Sequence, residues 1–143
     1  SDVYKRQILD IGCGYNLFKE HFGDRLWGID PANNKADQVI AWEDYKPHKE
    51  FNVFFILGSL NFGDEKYVES QIAKLSRETK TGDRIYWRQN PGTGDHPWKG
   101  VEDVRFYPWS FDKNKEWTNK YNFKINELLQ DTGNRIYTEW TRN

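Results

Sequence analysis

The residues best placed for chemistry gather around one short stretch, Asp10-Ile11-Gly12-Cys13-Gly14. Two glycines between a strand and a helix start let backbone N–H groups come close to a ligand. Asp10 stands just before them, where a carboxylate suits a ligand carrying an ammonium group and repels a pyrophosphate. Asp30, at the tip of the next apolar run, can accept both hydroxyls of a ribose. Two carboxylates flanking one glycine loop match an amino-acid nucleoside. Cys13 has no histidine in its sequence neighbourhood and reads as a small loop residue, not a nucleophile. His21, His48 and His96 show no metal-ligand spacing, so no metal is expected. Asn61, Asp95 and His96 are the polar residues that could handle the proton of an amine or hydroxyl acceptor.

These groups need a scaffold, and the chain supplies strands alternating with helices. Gln7 to Ile11 reads as a buried strand, followed by Leu17, Phe18, His21 and Phe22 at helical spacing, with His21 packed on that helix. Leu26 to Asp30, Gln38 to Trp42 and Asn52 to Leu57 read as strands two to four. Asp64 can cap a helix that buries Val68, Ile72 and Leu75, and Gly82 is placed to end it. Arg84 to Arg88 is strand five. Ser110 can cap a helix to about Tyr121. Lys124 to Gln130 and Arg135 to Thr141 flank Asp131-Thr132-Gly133-Asn134, a hairpin turn. The order predicts an α/β fold: a Rossmann-like seven-stranded, mostly parallel sheet with an antiparallel C-terminal hairpin and helices on both faces.

The 143 residues suit a single domain over 1–143, and 21 Lys plus Arg against 22 Asp plus Glu give no global pull toward nucleic acid or membrane. No apolar run approaches the roughly 20 residues of a membrane span. One cysteine cannot form an internal disulfide, and the start lacks a secretory signal, which together predict a cytoplasmic setting. Trp87 to Trp98 follows strand five on the ligand side and reads either as an acceptor-binding lid or as an ordinary loop anchored by its two Trp rings. In Arg105-Phe106-Tyr107-Pro108-Trp109, Glu102 and Asp103 dilute the basic charge, and nucleic-acid binding is not expected.

LDIGCG followed by GID resembles the first two motifs of the class I S-adenosylmethionine-dependent methyltransferases, and the element order resembles that family along nearly the whole chain. The resemblance implies S-adenosylmethionine as cofactor and methyl transfer to a small-molecule acceptor. It implies Asp10, Gly12, Cys13 and Gly14 around the methionine part, Asp30 on the ribose and Pro31 beside the adenine. Trp42 and Glu43 would lie near the adenine edge, and Gly58, Ser59 and Leu60 beneath the reacting methyl. Two departures stand out. Asn16 occupies the place where the glycine loop often has a third glycine, and Asn tolerates positive φ. The first strand also begins almost at once, so either the acceptor site is open or a covering piece is missing.

Two other readings compete. A nicotinamide-dependent oxidoreductase would want a glycine where Leu17 stands. A domain that binds S-adenosylmethionine or S-adenosylhomocysteine without turnover, as a sensor or partner subunit, fits the missing cover and the absence of an evident base. The Asn-Pro-Pro-Tyr signature of amino-group methylation is absent, with GSLNFG in its place.

Overall fold

The computed structural model describes residues 6–92 and 106–143. Seven strands form one sheet: β1 (Ile8–Ile11), β2 (Leu26–Asp30), β3 (Gln38–Val39), β4 (Val53–Ile56), β5 (Arg84–Gln89), β6 (Phe123–Gln130) and β7 (Ile136–Arg142). Their order is β3-β2-β1-β4-β5-β7-β6. β1 to β5 pair in parallel, and β7 runs antiparallel between β5 and β6. This is the sheet expected from the sequence. The chain reverses direction in strand order between β1 and β4, and a ligand crevice in an open α/β sheet forms at that switch point.

The central strands are patterned by what covers them. Four consecutive residues of β1 are buried, as in a parallel strand covered on both sides. On β7 the buried positions are Ile136, Thr138 and Trp140, alternating with half-buried Tyr137 and Glu139, the period of a strand with one face in the core.

Helices α2 (Glu65–Glu78) and α3 (Phe111–Lys120) cover one face of the sheet. Their starts follow the predicted caps: Asp64 accepts from the Tyr67 N–H at 2.8 Å, and Ser110 Oγ accepts from the Lys113 N–H at 3.0 Å. α2 buries Val68, Ile72 and Leu75, and with Trp117 of α3 they close the main core over Leu9, Phe54, Ile85, Trp87 and Trp140. Gly82 does not end α2, which ends at Glu78 with Thr79 as its C-cap; Gly82 makes the turn before β5, with φ of 92°.

Among the described residues, the α-helix on the opposite face is the short α1 (Phe18–Phe22). Phe22 reaches a small cluster of Ile8, Leu26 and Val53. Leu17 and Phe18, read at helical spacing, are exposed, because a helix of five residues cannot turn a whole apolar face inward. His21 is exposed too, its ring edge-on to Phe22 at 4.7 Å.

The largest correction concerns the third strand. Pairing with β2 stops at Val39, and the chain turns through Ala41 into a 3₁₀ turn at Trp42–Asp44. Trp42 is therefore not a strand residue. Its indole is buried and donates to the Gln71 carbonyl on α2 at 3.2 Å. No helix among the described residues is long and apolar enough to cross a membrane.

Candidate functional site

The C-terminal ends of β1, β2 and β4 surround a cleft of about 270 Å³. Its lining includes Gly12, Asp30, Pro31, Trp42, Glu43, Gly58, Ser59 and Leu60, all singled out from the sequence. Ile11, Ile40, Ala41, Phe62, Tyr67 and Gln71 complete it. Of these, Tyr67 and Gln71 had a readable signal, since on α2 they form the stripe next to Val68, Ile72 and Leu75.

The glycine loop is held to β2 by backbone bonds. The N–H groups of Gly12 and Cys13 both donate to the Ile29 carbonyl, at 2.8 and 2.9 Å, and the Gly14 N–H donates to Asp30 Oδ2 at 3.1 Å. Gly12 is required twice over. Its φ is 75°, and a Cβ there would stand 2.4 Å from Ser59 Cβ. Ser59 in turn donates its hydroxyl to the Ile11 carbonyl at 2.6 Å, closing the tips of β1 and β4 against each other. At Gly14, with φ of 55°, a Cβ would meet nothing within 4 Å; the loop faces open space there.

Asp30 also accepts from the Ala32 and Asn33 N–H groups at 2.9 and 3.0 Å, so its carboxylate is fixed at the strand tip. Across the cleft, Glu43 accepts from the Tyr67 hydroxyl, and from Gln71 Nε2 at 3.3 Å. Lys74, one turn further along α2, donates to the carbonyls of Trp42 and Tyr45 and lies 4.6 Å from the Trp42 ring centroid. Tyr67, Gln71 and Lys74 thus grip the Trp42–Asp44 turn as one wall.

No family model matches the sequence, and no curated protein does. Solved structures match closely in shape. A Listeria monocytogenes protein assigned as an S-adenosylmethionine-dependent methyltransferase superposes with a TM-score of 0.76 at 12% identity, over 97% of this chain and 90% of that one. An S-adenosylmethionine-dependent methyltransferase of Clostridium acetobutylicum gives 0.73 at 11% identity, over 97% and 85%. The N-methyltransferase NodS of Bradyrhizobium japonicum gives 0.70 at 11%, over 96% and 85%. This is the class I S-adenosylmethionine-dependent methyltransferase fold.

Within the methyltransferase fold, Asp10 is the residue whose environment is most unusual. It is 3% exposed, on the strand leading into the glycine loop, and no hydrogen bond reaches its carboxylate among the described residues. Burial, and secondarily the nearby Asp30 carboxylate, push its pKa up to about 6. A buried carboxylate without a partner is costly, and a cation brought to it would relieve that cost. Asp10 does not line the cleft itself; it sits on β1 just before the glycine loop.

Cys13 also lies outside the cleft lining. A Cβ at Gly28 would stand 2.9 Å from its Sγ, so the sulfur is turned toward β2. Burial first, then Asp10, Asp30 and Asp37, push its thiol pKa up to about 12. It stays protonated and inert.

The far side of the cleft is built differently. Leu60 has φ of 55°, an uncommon conformation for a bulky side chain, and its carbonyl accepts from Trp109 Nε1 at 3.2 Å. The Asn61 carbonyl accepts from the Tyr107 N–H at 2.7 Å, and Phe62 stacks on Phe106 with centroids 5.0 Å apart. Asn61 is buried with Oδ1 accepting from the Asn90 N–H at 3.2 Å, so it braces two loops and does not line the cleft.

Asp95 and His96 lie outside the described residues, as does most of the stretch read as a lid. Its beginning is no lid: Trp87 and Gln89 are fully buried on β5, Trp87 against Trp109 and Trp140 with centroids 4.8 and 5.0 Å apart. Tyr107 and Trp109 are buried as well, leaving neither free to stack on a base. Among the described residues no cluster of His, Cys, Asp and Glu could hold a metal ion.

Proposed function

We propose that this chain binds S-adenosylmethionine at the glycine loop and transfers its methyl group to a small-molecule acceptor. The observation that carries the reading is the pair of carboxylates around that loop: Asp10, buried and without a hydrogen-bond partner among the described residues, and Asp30, fixed at the tip of β2. The first suits an ammonium group and the second a ribose, and the loop they flank faces open space at Gly14. The solved structures with bound S-adenosylhomocysteine, such as a Burkholderia thailandensis N1-methyltransferase with a TM-score of 0.74 at 11% identity, support the same ligand class.

In this reading Asp10 compensates the methionine ammonium through the loop, and Gly12, Cys13 and Gly14 lie along the methionine part. Asp30 accepts from the ribose hydroxyls. Pro31 packs beside the adenine, and Trp42 and Glu43 wall its edge. Gly58, Ser59 and Leu60 form the floor under the reacting centre. When bound, S-adenosylmethionine supplies a methyl group on a sulfonium, whose displacement needs no protonation of the leaving group. The protein's share is alignment and exclusion of water.

Binding without turnover, as a sensor or partner subunit, has one observation in its favour: Asn61 is committed to Asn90 and does not reach the cleft. Incubation with S-adenosylmethionine and a panel of small amines, phenols and carboxylates, followed by quantifying S-adenosylhomocysteine, separates the two. Product that depends on an acceptor supports transfer. Tight binding with no product from any acceptor favours the non-catalytic reading.

A further inference from the structure

Asn16 stands where a third glycine would give the loop its freedom, and the structure shows what replaces that freedom. Its φ is 60°, and its side chain is 7% exposed. Asn16 Nδ2 donates to the Lys35 carbonyl and to Asp37 Oδ2, both at 3.2 Å. Asp37 also accepts from the Gly28 N–H at 2.8 Å and from Lys19 Nζ at 3.3 Å. Lys19 Nζ itself is held by the Leu26 carbonyl at 2.6 Å. One carboxylate therefore joins the glycine loop, α1 and β2.

Two details make the knot specific. β3 is only two residues long and pairs with Ile29 and Asp30, so no strand partner reaches the Gly28 N–H; Asp37 takes that place. Gly28 also leaves room for the loop, since a Cβ there would stand 2.3 Å from Asn16 Oδ1. Asp37 lines no part of the cleft.

We propose that Asp37 is a positioning residue of the site: through Asn16 it locks the glycine loop in the conformation that receives the methionine end of the ligand. The inference rests on the cofactor reading above. A loop fixed before binding loses little freedom when the ligand arrives, and a loop released from its anchor loses more. Because the loop faces the methionine end, the penalty falls on ligands that carry that end.

The test compares S-adenosylhomocysteine with 5′-methylthioadenosine, which lacks the amino-acid end, by calorimetry on the wild type, Asp37→Ala, Asp37→Asn and Lys19→Gln. Asp37→Ala is expected to weaken S-adenosylhomocysteine at least tenfold and 5′-methylthioadenosine less than twofold. Asp37→Asn, which still accepts from the Gly28 N–H, recovers most of the loss, and Lys19→Gln changes little. An unchanged affinity in a folded Asp37→Ala protein overturns the proposal, and so does an equal loss for both ligands. Should Asp37→Ala fail to fold, Asn16→Gly releases the same anchor at a residue that accepts positive φ freely, and the same selective loss is expected. Amide exchange at Gly14 and Asn16 reads the knot without any ligand. It accelerates in either loop variant if the proposal holds, and unchanged exchange contradicts it even if the wild type binds neither nucleoside and the cofactor reading fails.

Discussion

The two halves of the cleft are made of different materials. The half at β1 and β2 consists of backbone amides, carboxylates and glycines in positive φ, tied by short hydrogen bonds to Ile29, Asp30 and Asp37. The half beyond β4 consists of large aromatic rings, Trp87, Trp109 and Trp140 beneath and Phe62 on Phe106 at the rim, holding Leu60 in a strained conformation. The first half is polar and fixed by direction. The second is apolar and fixed by volume. Polar geometry of this kind suits a ligand that does not vary, while a wall set by packing can change shape with its side chains.

The contrast can be broken most severely from the aromatic side. Trp109 is 1% exposed and its indole N–H is committed to Leu60. Trp109→Ala is expected to cost about 3–5 kcal/mol in urea unfolding, the range for emptying a buried aromatic site. Trp109→Phe keeps most of the volume but loses the five-membered ring and its bond to the Leu60 carbonyl, for about 1–3 kcal/mol. A Phe variant as damaged as Ala would mean that the hydrogen bond, and not volume, holds this half.

The polar half breaks at single atoms. Gly12→Ala drives a Cβ into Ser59 and imposes positive φ on an L residue, for roughly 2–4 kcal/mol in the same unfolding measurement. Gly14→Ala meets open space and costs only the conformational part, about 1–2 kcal/mol. Equal costs at the two positions would contradict the close approach of β1 and β4.

Asp10 gives a pH signature that the aromatic half cannot. With its pKa raised to about 6 in the free protein, the carboxylate protonates as the pH falls through that value. A ligand ammonium prefers the ionised form, so S-adenosylhomocysteine should bind roughly tenfold more weakly at pH 5 than at pH 7. Stability of the ligand-free protein moves the other way. The folded state holds the proton more tightly than the unfolded chain, so this contribution to stability declines as the pH rises from about 4 through 6, by about 3 kcal/mol at most. Asp10→Asn should flatten both profiles, which calorimetry across pH 5–7 and thermal unfolding across pH 4–8 would read.

The polar half was legible in the sequence because its information is local. LDIGCG and GID are each a short motif with a carboxylate at the end of its own strand, and strand two was read to its ends at Leu26 and Asp30. The caps at Asp64 and Ser110 were legible for the same reason. Strand three was overread because Gln38 to Trp42 has strand-like residues, yet Lys74, Gln71 and Tyr67 on α2 pull the chain into a turn that only tertiary packing reveals. Asp37 was invisible because no motif marks it and its partners Asn16, Lys19 and Gly28 sit on three different parts of the fold. Asn61 looked like a chemical group and is a brace, since its fate depends on Asn90, across two strands.

The central claim is that the glycine loop and Asp30 hold an amino-acid nucleoside, and its most direct test is calorimetric titration with S-adenosylhomocysteine, with NADH as control, on the wild type and on Asp30→Ala. The account predicts binding of S-adenosylhomocysteine alone, weakened at least tenfold in a variant that stays folded. A folded wild-type protein that binds neither ligand, or an Asp30→Ala variant that binds as tightly as the wild type, would contradict it.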